Sequence, residues 1–483
     1  MAVRRQGVRT GSAFRGRRRA LLALAGLPAA ALAERLGGAA PGGTGRGYLS
    51  IDNPVEEHRY LDLSRGPERP AVRERYLDCG ASVAELDRAI DYANLLEPEP
   101  EVGAINAAIE RASRGGRGGV VRPAAAEVLE VGEDPIELRD GVVYDGRNVG
   151  VHSIVGGNFA AAVVAFDRRN VAIQHVRTDG NGAGCYGVRL EDTVNALVQF
   201  VRTSNHDQNS IATGLRGRGI TVRYCELDPG RDDRGNGTFR NQHGIVSSSF
   251  EGPGEPAPKG RAGIVYSHGH AWYSNVIRGC DGHSMNAHCA NLECMGNWTD
   301  GCRFGAKFPH SANVLVHHNR FGGARETTGP DDEPGFVLRV YAARDYDVGV
   351  GYASDQLYLF DNVFEANRGL KVRLDTVHGD VYLLGNDWGP PGDVTLRFVA
   401  PKGEQEGAGD ASVPRGRVLH CGTPGLPSPS ISGAEKEDVW VRETDPAVCR
   451  AEVGALLARM NAPKDRRWRA NLEHPLPELR AAR

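Results

Sequence analysis

Asn297-Trp298 is the first of four stretches with one pattern, an asparagine followed within two residues by an aromatic side chain. The others are Asn319-Arg320-Phe321, Asn362-Val363-Phe364 and Asn386-Asp387-Trp388. Each follows a short apolar strand, and these strands recur 22 residues apart from Leu292 to Val314 and 24 residues apart from Leu357 to Val381. A unit of this size cannot bury its own apolar face, so the repetition indicates a stacked-repeat fold. We therefore predict an all-β chain wound into a right-handed parallel β-helix solenoid.

The same period extends toward the N-terminus, where matching strands begin at Val171, Ala196 and Ile220. The fifth position after each strand start forms a column that is aliphatic at first and becomes asparagine. Its predicted members are Val176, Val201, Cys225, Ile277, Asn297, Asn319, Asn362 and Asn386. Stacked asparagine amides hydrogen-bond from one coil to the next. We interpret these asparagines as structural residues at a bend of the coil.

The eighth position after each strand start forms a second column, rich in acidic residues at turns. Its predicted members are Asp179, Ser204, Asp228, Cys280, Asp300, Gly322, Glu365 and Gly389. Coils of a parallel stack lie about 4.8 Å apart. Carboxylates from neighbouring coils are then close enough to share a cation or to flank a sugar ring. The alternative is that Asp and Asn simply suit turns, because their side chains bond the local backbone.

Composition limits the classes of function. The chain has 483 residues, 63 of them glycine, and a net charge of −3. The glycine content suits many tight corners between short strands. The sequence shows no basic stripe with interleaved aromatic residues, so we predict no nucleic-acid partner.

The N-terminus has the pattern of an export signal. Arg17-Arg18-Arg19 precedes an apolar run over residues 20–33 that ends in Ala31-Leu32-Ala33. A charged start, a short apolar core and a small-residue end are typical of a cleaved signal peptide. Arg18-Arg19-Ala20-Leu21-Leu22 is similar to the twin-arginine export motif. We predict a protein that is exported to the periplasm or the extracellular space, is monomeric, and has no membrane partner after cleavage.

The segment before the repeats carries a helix and a glycine run. Residues 104–112 (Ala-Ile-Asn-Ala-Ala-Ile-Glu-Arg-Ala) predict an amphipathic helix. Gly115-Gly116-Arg117-Gly118-Gly119 and short apolar strands follow. This order resembles the N-terminal segment of the pectate lyase and polygalacturonase superfamily, in which a capping helix of the form Ala-Ile-x-x-Ala-Ile leads through glycines into the first coils. The resemblance implies a right-handed parallel β-helix over about residues 100–390.

These patterns predict four segments. Residues 1–33 are the signal peptide, and residues 34–98 are a linker and N-terminal segment with a helix near residues 82–93. Residues 99–392 are the β-helix with its N-terminal capping helix. Residues 393–483 are an irregular C-terminal region, in which Asp445-Pro446 begins a helix that caps the open end of the stack.

Ionisable residues concentrate between residues 206 and 310, in the turns and strand starts of successive coils. Export, a β-helix and a polar groove together predict a long polysaccharide substrate, probably one containing uronates. Eliminative cleavage or epimerisation of a uronate needs a base for the C5 proton and a cation for the sugar carboxylate. Our predicted catalytic residues are His243, His283, Lys307 and Asp300.

Further residues in the same region are candidates for binding. We predict substrate contacts from His206, Asp207, His288, Arg303 and Arg339, and a calcium site built on Asp228 and Asp281. The bland interpretation of each is a surface residue on a turn or a solvated face of the sheet.

Two other functions remain open at this point. Asp232-Asp233, Gln242-His243-Gly244 and Gly269-His270 are similar in order to motifs of polygalacturonase-type hydrolases, which use two carboxylates. Alternatively, the chain is a non-catalytic β-helix that binds a glycan. A shared groove for His243, His283, Asp300 and Lys307 favours an enzyme, whereas divergent side chains favour a binding protein.

Overall fold

The computed structural model describes most of residues 80–323 and a set of strand segments after them. Gaps within the first range are residue 82, residues 125–127, 154–160, 182–185, 215–216, 231–241, 248–266 and residue 310. The later described segments are residues 338–341, 354–360, 362–365, 372–375, 377–384, 386–388, 395–399, 416–421, 430–432 and 440–443, with residue 451. In these residues the chain forms a parallel β-solenoid, which confirms the predicted fold class at that level.

Each coil contributes one strand to each of three sheets, and every strand pairing in the described residues is parallel. The first sheet contains β1 Leu95–Leu96, β2 Gly119–Val121, β5 Val142–Ser153, β7 Arg169–Asp179, β9 Val194–Gln199, β12 Arg218–Arg223, β15 Ser267–His268, β16 Ala271–Tyr273, β19 Cys289–Met295, β22 Ala312–His317, β25 Ser354–Phe360, β28 Val377–Leu384, β30 Gly416–Cys421 and β32 Trp440–Glu443. The second sheet contains β3 Val128–Val131, β10 Arg202–Ser204, β13 Glu226–Asp228, β17 Val276–Arg278, β20 Trp298–Asp300, β23 Arg320–Phe321 and β26 Val363–Phe364. The third sheet contains β4 Ile136–Glu137, β6 Ala161–Phe166, β8 Tyr186–Glu191, β11 Asn209–Ala212, β14 His243–Ser247, β18 His283–Ala287, β21 Phe304–Pro309, β24 Leu338–Tyr341, β27 Val372–Asp375, β29 Thr395–Val399 and β31 Ser430–Ser432.

The observed register confirms the predicted spacing of the coils. Leu292 pairs with Val314 and Leu357 pairs with Val381. Further toward the N-terminus, Ala196 pairs with Val171 on one side and Ile220 on the other. The long strands β5 and β7 turn the corner between the first and second sheets, which makes these two sheets continuous. Inward-facing aliphatic residues of all three sheets form one core.

The asparagine column lies at the corner between the first and second sheets and has one more member than we predicted. Asn275 donates from Nδ2 to Asn297 Oδ1 at 2.9 Å, and Asn297 repeats this bond with Asn319 at 2.9 Å. The bonds continue through Asn362 to Asn386. Each Oδ1 also accepts the backbone N–H of the preceding asparagine, so the side chains satisfy backbone donors that the corner leaves unpaired.

Two of our column assignments were wrong in the coil that contains Trp272. Leu227 pairs with Ile277 and Val222 pairs with Trp272, so Asn275 holds the position we gave to Ile277. In the acidic column, Arg278 pairs with Asp300 and so holds the position we gave to Cys280. The shift of two residues arose because the alignment started this strand at Trp272, whereas Trp272 stands at the third position of the matching strand.

Two helices precede and contact the first coils. The predicted helix near residues 82–93 is α1, Val83–Ala89, and the predicted helix over residues 104–112 is α2, Val102–Ser113. Leu86 of α1 packs with Val143, Ala172 and Leu197 on the outer side of the first sheet. Ile105 of α2 is buried in the main core with the first strands. The segment before residue 98 is therefore partly packed structure and not only a linker.

The described strands extend beyond the predicted end of the β-helix at residue 392. β30 pairs with β28 and β32 pairs with β30, while β29 and β31 continue the third sheet. Our irregular region over residues 393–483 therefore contains further coils, whose glycine- and proline-rich connections hide the period in the sequence. The signal peptide and the C-terminal capping helix fall outside the described residues. Among those residues, no helix has both the length and the apolar character needed to cross a membrane.

Candidate functional site

Three of the four predicted catalytic residues lie on the third sheet, in successive strands. His243 begins β14, His283 begins β18, and Lys307 lies in β21. A Cβ on Gly244 would lie 2.3 Å from Cγ2 of Ile277, and Ile245 belongs to the core, so both residues face inward. His243 before them and Val246 after them therefore face outward. Val246 pairs with Asn286 and Asn286 pairs with Lys307, which places Lys307 on the same outer surface.

The His243 ring is held at both nitrogens. Its Nδ1 accepts the backbone N–H of His283 at 3.0 Å, so the ring proton lies on Nε2. The Asn286 amide group lies 3.2 Å from Nε2, and its oxygen accepts the Nε2 proton when the amide is turned toward the ring. The backbone N–H of His243 bonds Asn209 Oδ1 at 3.1 Å. His243 is thus a neutral ring that links three coils.

Burial keeps His243 uncharged. The loss of solvent around the ring, with the nearby charge of Lys307 as a second cause, lowers the pKa of His243 to about 3. A base with so low a pKa accepts a proton poorly at neutral pH. His243 therefore serves as a positioning residue, and the Lys307 charge acts within its electrostatic range.

His283 lies between His243 and an aromatic ring of the next coil. Its ring centroid is 5.0 Å from that of His243 and 5.1 Å from that of Phe304. Gly282 makes this packing possible, because a Cβ there would lie 2.8 Å from His243 Nδ1 and 2.7 Å from the Gln242 carbonyl oxygen. We define the His243, His283 and Lys307 side chains, with Asn286 and Phe304, as the histidine–lysine cluster.

The predicted binding residues divide between this surface and the adjoining corners. Arg339 pairs with Lys307 in register and so occupies the next position along the third sheet. The Arg303 guanidinium lies 5.4 Å from the Phe304 ring centroid, at the edge of the cluster. His288 follows β18, and its backbone N–H bonds the Ser247 carbonyl at 2.9 Å. His288 is buried where the chain leaves the third sheet.

His206 and Asp207 lie at the corner between the second and third sheets. His206 is completely buried, and its Nε2 lies 2.7 Å from Thr178 Oγ1. Its carbonyl accepts the Gln242 side-chain amide at 2.9 Å. These bonds connect His206 to the strand that carries His243, which gives it a structural role. Asp207 is half-buried beside it.

The carboxylates are not brought into the histidine–lysine cluster. Asp300 and Asp228 are exposed residues of the second sheet, and Arg278 occupies the register position between them. Asp281 lies in the corner between β17 and β18. Within the residues that the structure describes, no three His, Cys, Asp or Glu side chains converge as metal ligands. The donor set therefore does not fit the predicted calcium site.

Sequence reasoning missed Asn286, Phe304 and Gln242, which complete the surroundings of the two histidines. Coil alignment finds them, because Asn286 and Phe304 share register positions with Lys307 and His283. It also missed a second ionisable network, outside the third sheet. His317 Nε2 lies 3.0 Å from Glu293 Oε1, and Tyr273 donates its hydroxyl to Glu293. Glu293 and His317 are completely buried, so we do not assign substrate contact to this network.

No protein-family model matches the chain, and no curated protein sequence matches it. Solved structures with a similar fold include the surface adhesin PfbA of Streptococcus pneumoniae, with a TM-score of 0.44 and 12% identity over 66% of this chain and 83% of that chain. The A-module of the Azotobacter vinelandii mannuronan C-5 epimerase AlgE6 has a TM-score of 0.46 and 16% identity over 71% of this chain and 88% of that chain. An alginate lyase from Paenibacillus sp. str. FPU-7 has a TM-score of 0.33 and 10% identity over 64% of this chain and 94% of that chain. At these identities the likeness concerns the parallel β-helix fold, which both enzymes and an adhesin share.

Proposed function

We propose that this chain binds an acidic polysaccharide on the outer surface of its third sheet and acts on it by abstraction of the C5 proton of a uronate unit. The observation that carries the proposal is the histidine–lysine cluster. Lys307 supplies a positive charge beside His243 and His283, the latter packed 5.0 Å from His243 between centroids. A cation next to neutral imidazoles is the pair of groups that this reaction requires.

The proposal gives each residue one role. The Lys307 ammonium binds the uronate carboxylate and stabilises the negative charge that develops when the C5 proton leaves. An unprotonated ring nitrogen of His283 accepts that proton. His243, whose Nδ1 and Nε2 are both engaged, fixes the strand that carries His283 through its bond to the His283 backbone N–H at 3.0 Å.

Two outcomes follow from the same abstraction. In elimination, the C5–H electron pair forms the C4=C5 double bond, and the C4–O bond breaks with its electrons on the leaving oxygen, which then takes up a proton. In epimerisation, C5 receives a proton on its opposite face and no glycosidic bond breaks. The cluster supports the abstraction that both reactions share, so the proposal covers lyase and epimerase.

Hydrolysis has less support. A hydrolase needs two carboxylates about the scissile bond. Asp228 and Asp300 lie on the second sheet with Arg278 between them in register. Asp232-Asp233 lies outside the described residues. We accordingly leave Asp300 out of the proposed catalytic set, and the proposal assigns no step to calcium.

The proposal also includes features of the fold and the setting that the described residues leave untested. They are the right-handed winding, α2 and a C-terminal helix as caps, and membership of the pectate lyase-like superfamily. Export through the signal at residues 1–33 places a monomeric protein in the periplasm or outside the cell, where polysaccharides are available.

The test is incubation of the purified chain with a panel of polyuronates and neutral glycans, with and without calcium. Ultraviolet absorbance of the new double bond detects a lyase. Incubation in D₂O followed by NMR detects deuterium at C5, which marks an epimerase. Proton abstraction predicts one of these two signals on a polyuronate and neither on a neutral glycan.

The competing outcomes are distinct. New reducing ends without a double bond would identify a hydrolase and contradict the proposed reaction. Binding without any chemical change would identify a glycan-binding protein and contradict the enzymatic part of the proposal. Absence of binding to every polyuronate would contradict the proposal as a whole.

A further inference from the structure

We propose that the acidic chain lies along the solenoid axis and is held on one side of the histidine–lysine cluster only, the side toward the C-terminus. This inference rests on the proposed function and extends it to the placement of the subsites. It identifies the ligand as a linear polymer with one anionic group in each repeating unit. The observation behind it is a column of four cations at one register position of the third sheet.

The column begins at Lys307 and continues in the next three strands. Lys307 pairs with Arg339, Arg339 pairs with Arg373, and Arg373 pairs with Arg397. Their strands read FGAKFP, LRVY, VRLD and TLRFV, so each contributes one cation and Asp375 is the one acidic residue among them. We call these four residues the basic column. In the sequence they are 32, 34 and 24 residues apart, which conceals the column.

The same register position is uncharged on the other side of the cluster. Before Lys307 it is occupied by Asn286, Val246 and Ala212. The next cation in that direction is Arg189. Its charge is already balanced, because Nε bonds Glu191 Oε1 at 2.6 Å, and its guanidinium lies 5.1 Å from the Tyr186 ring centroid.

The spacing of the basic column defines the ligand. Neighbouring strands lie about 4.8 Å apart, so four like charges in register repel one another unless anions lie between or above them. A free phosphate or a single uronate would answer one charge. A polymer with an anionic group on every unit answers all four, and arginine binds carboxylate in a bidentate geometry.

The asymmetry predicts which products form. The reacting unit lies at Lys307 and His283, at one end of the basic column. The polymer then has three further charged subsites on one side of the reacting unit and no charged subsite in the next three coils on the other. Short oligomers should react only when they are long enough to reach Arg373 and Arg397, and the fragment held on the basic side should be about four units long.

The experiment measures affinity for purified oligouronates of one to eight units by calorimetry. Affinity should rise with each unit up to about four and change little beyond that, and the Kd should weaken steeply with added salt. The double variant R373Q/R397Q should bind the tetramer about tenfold more weakly and bind the dimer as the wild type does, at about threefold for each lost charge pair. The matched control is R278Q/R320Q, which removes two arginines from the second sheet and should leave both affinities unchanged.

The outcomes separate this inference from the proposed function. If affinity does not depend on oligomer length, or if R373Q/R397Q and its control behave alike, the basic column is not the binding track. If the length dependence is present but no double bond or C5 deuterium forms, the proposed reaction fails and the binding track stands. Tighter binding of single-stranded DNA than of an oligouronate of equal charge would overturn the assignment to a polysaccharide.

Discussion

Burial of His243 next to a lysine makes the third sheet sensitive to acid. The pKa of His243 is lowered from its ordinary value of 6.5 to about 3, chiefly by burial. Burial lowers the pKa of His317 to about 3 as well. Below pH 6.5 the unfolded chain binds protons that the folded chain excludes, so the free energy of unfolding decreases as the pH falls from 6.5 toward 3.

Each of these two histidines contributes up to about 1.4 kcal/mol of lost stability per pH unit in that range. We therefore predict that H243Q reduces the pH dependence of unfolding by up to about this slope. Urea unfolding of wild type and variant between pH 7.5 and 4.5 measures it. Parallel stability curves for the two proteins would contradict a neutral buried His243.

Lys307 and His283 are distinguished by what their substitution should change. K307Q removes the charge that binds the carboxylate and should raise KM and lower kcat, with kcat/KM reduced at least about a hundredfold. K307R keeps the charge and should recover part of the loss. H283Q removes the proton acceptor and should lower kcat with a smaller change in KM. Turnover of the best polyuronate measures all three, and a fully active H283Q would contradict the proposed base.

Gly282 determines how closely β18 approaches the His243 ring. A Cβ at this position would lie 2.8 Å from His243 Nδ1. G282A should therefore cost about 1–3 kcal/mol of stability, as overpacked sites do, and should reduce turnover by displacing the rings. G132A is the matched control, because a Cβ there meets no atom within 4 Å. Equal stability of the two variants in thermal unfolding would show that the ring is not packed as described.

At the scale of the element, the asparagine column stabilises the corner between the first and second sheets. Asn319 Oδ1 accepts the backbone N–H of Asn297 at 2.8 Å, and its Nδ2 donates to the Cys294 carbonyl at 2.9 Å. N319A would leave these buried groups without partners and should cost about 2–4 kcal/mol. Urea unfolding tests this against N181G, which changes an exposed asparagine at φ 51°, where glycine is accommodated without strain. A loss below about 0.5 kcal/mol for N319A would contradict a structural role.

Strand spacing explains why the elements were predictable and why one coil was misaligned. A period of 22–25 residues between matching strands is set by the size of one coil, so Leu292 and Val314 were paired correctly. The coil with Trp272 follows residues 229–266, whose length removes the period. Only side-chain chemistry then identifies the register, and Asn275 carries that signal because it is the asparagine in the coil that bonds Asn297.

The whole molecule explains which parts of the site the sequence left hidden. His243, His283 and Lys307 were identified because their strands follow one another closely, at 40 and 24 residues. Asp300 was misplaced because a position in a turn does not show which of two sheets a side chain faces. The basic column extends over four coils, and connections of unequal length separate its members. Such a surface becomes visible when pairings such as Arg373 with Arg397 are known.

The most direct test of the central claim is the affinity of wild type, K307Q and R278Q for one polyuronate at low salt. Both variants lose one positive charge, one on the third sheet and one on the second. Binding at the third sheet predicts that K307Q weakens the Kd about tenfold, while R278Q binds as the wild type does. Equal weakening by both variants, or weakening by R278Q alone, would contradict the claim that the outer surface of the third sheet binds the acidic polysaccharide.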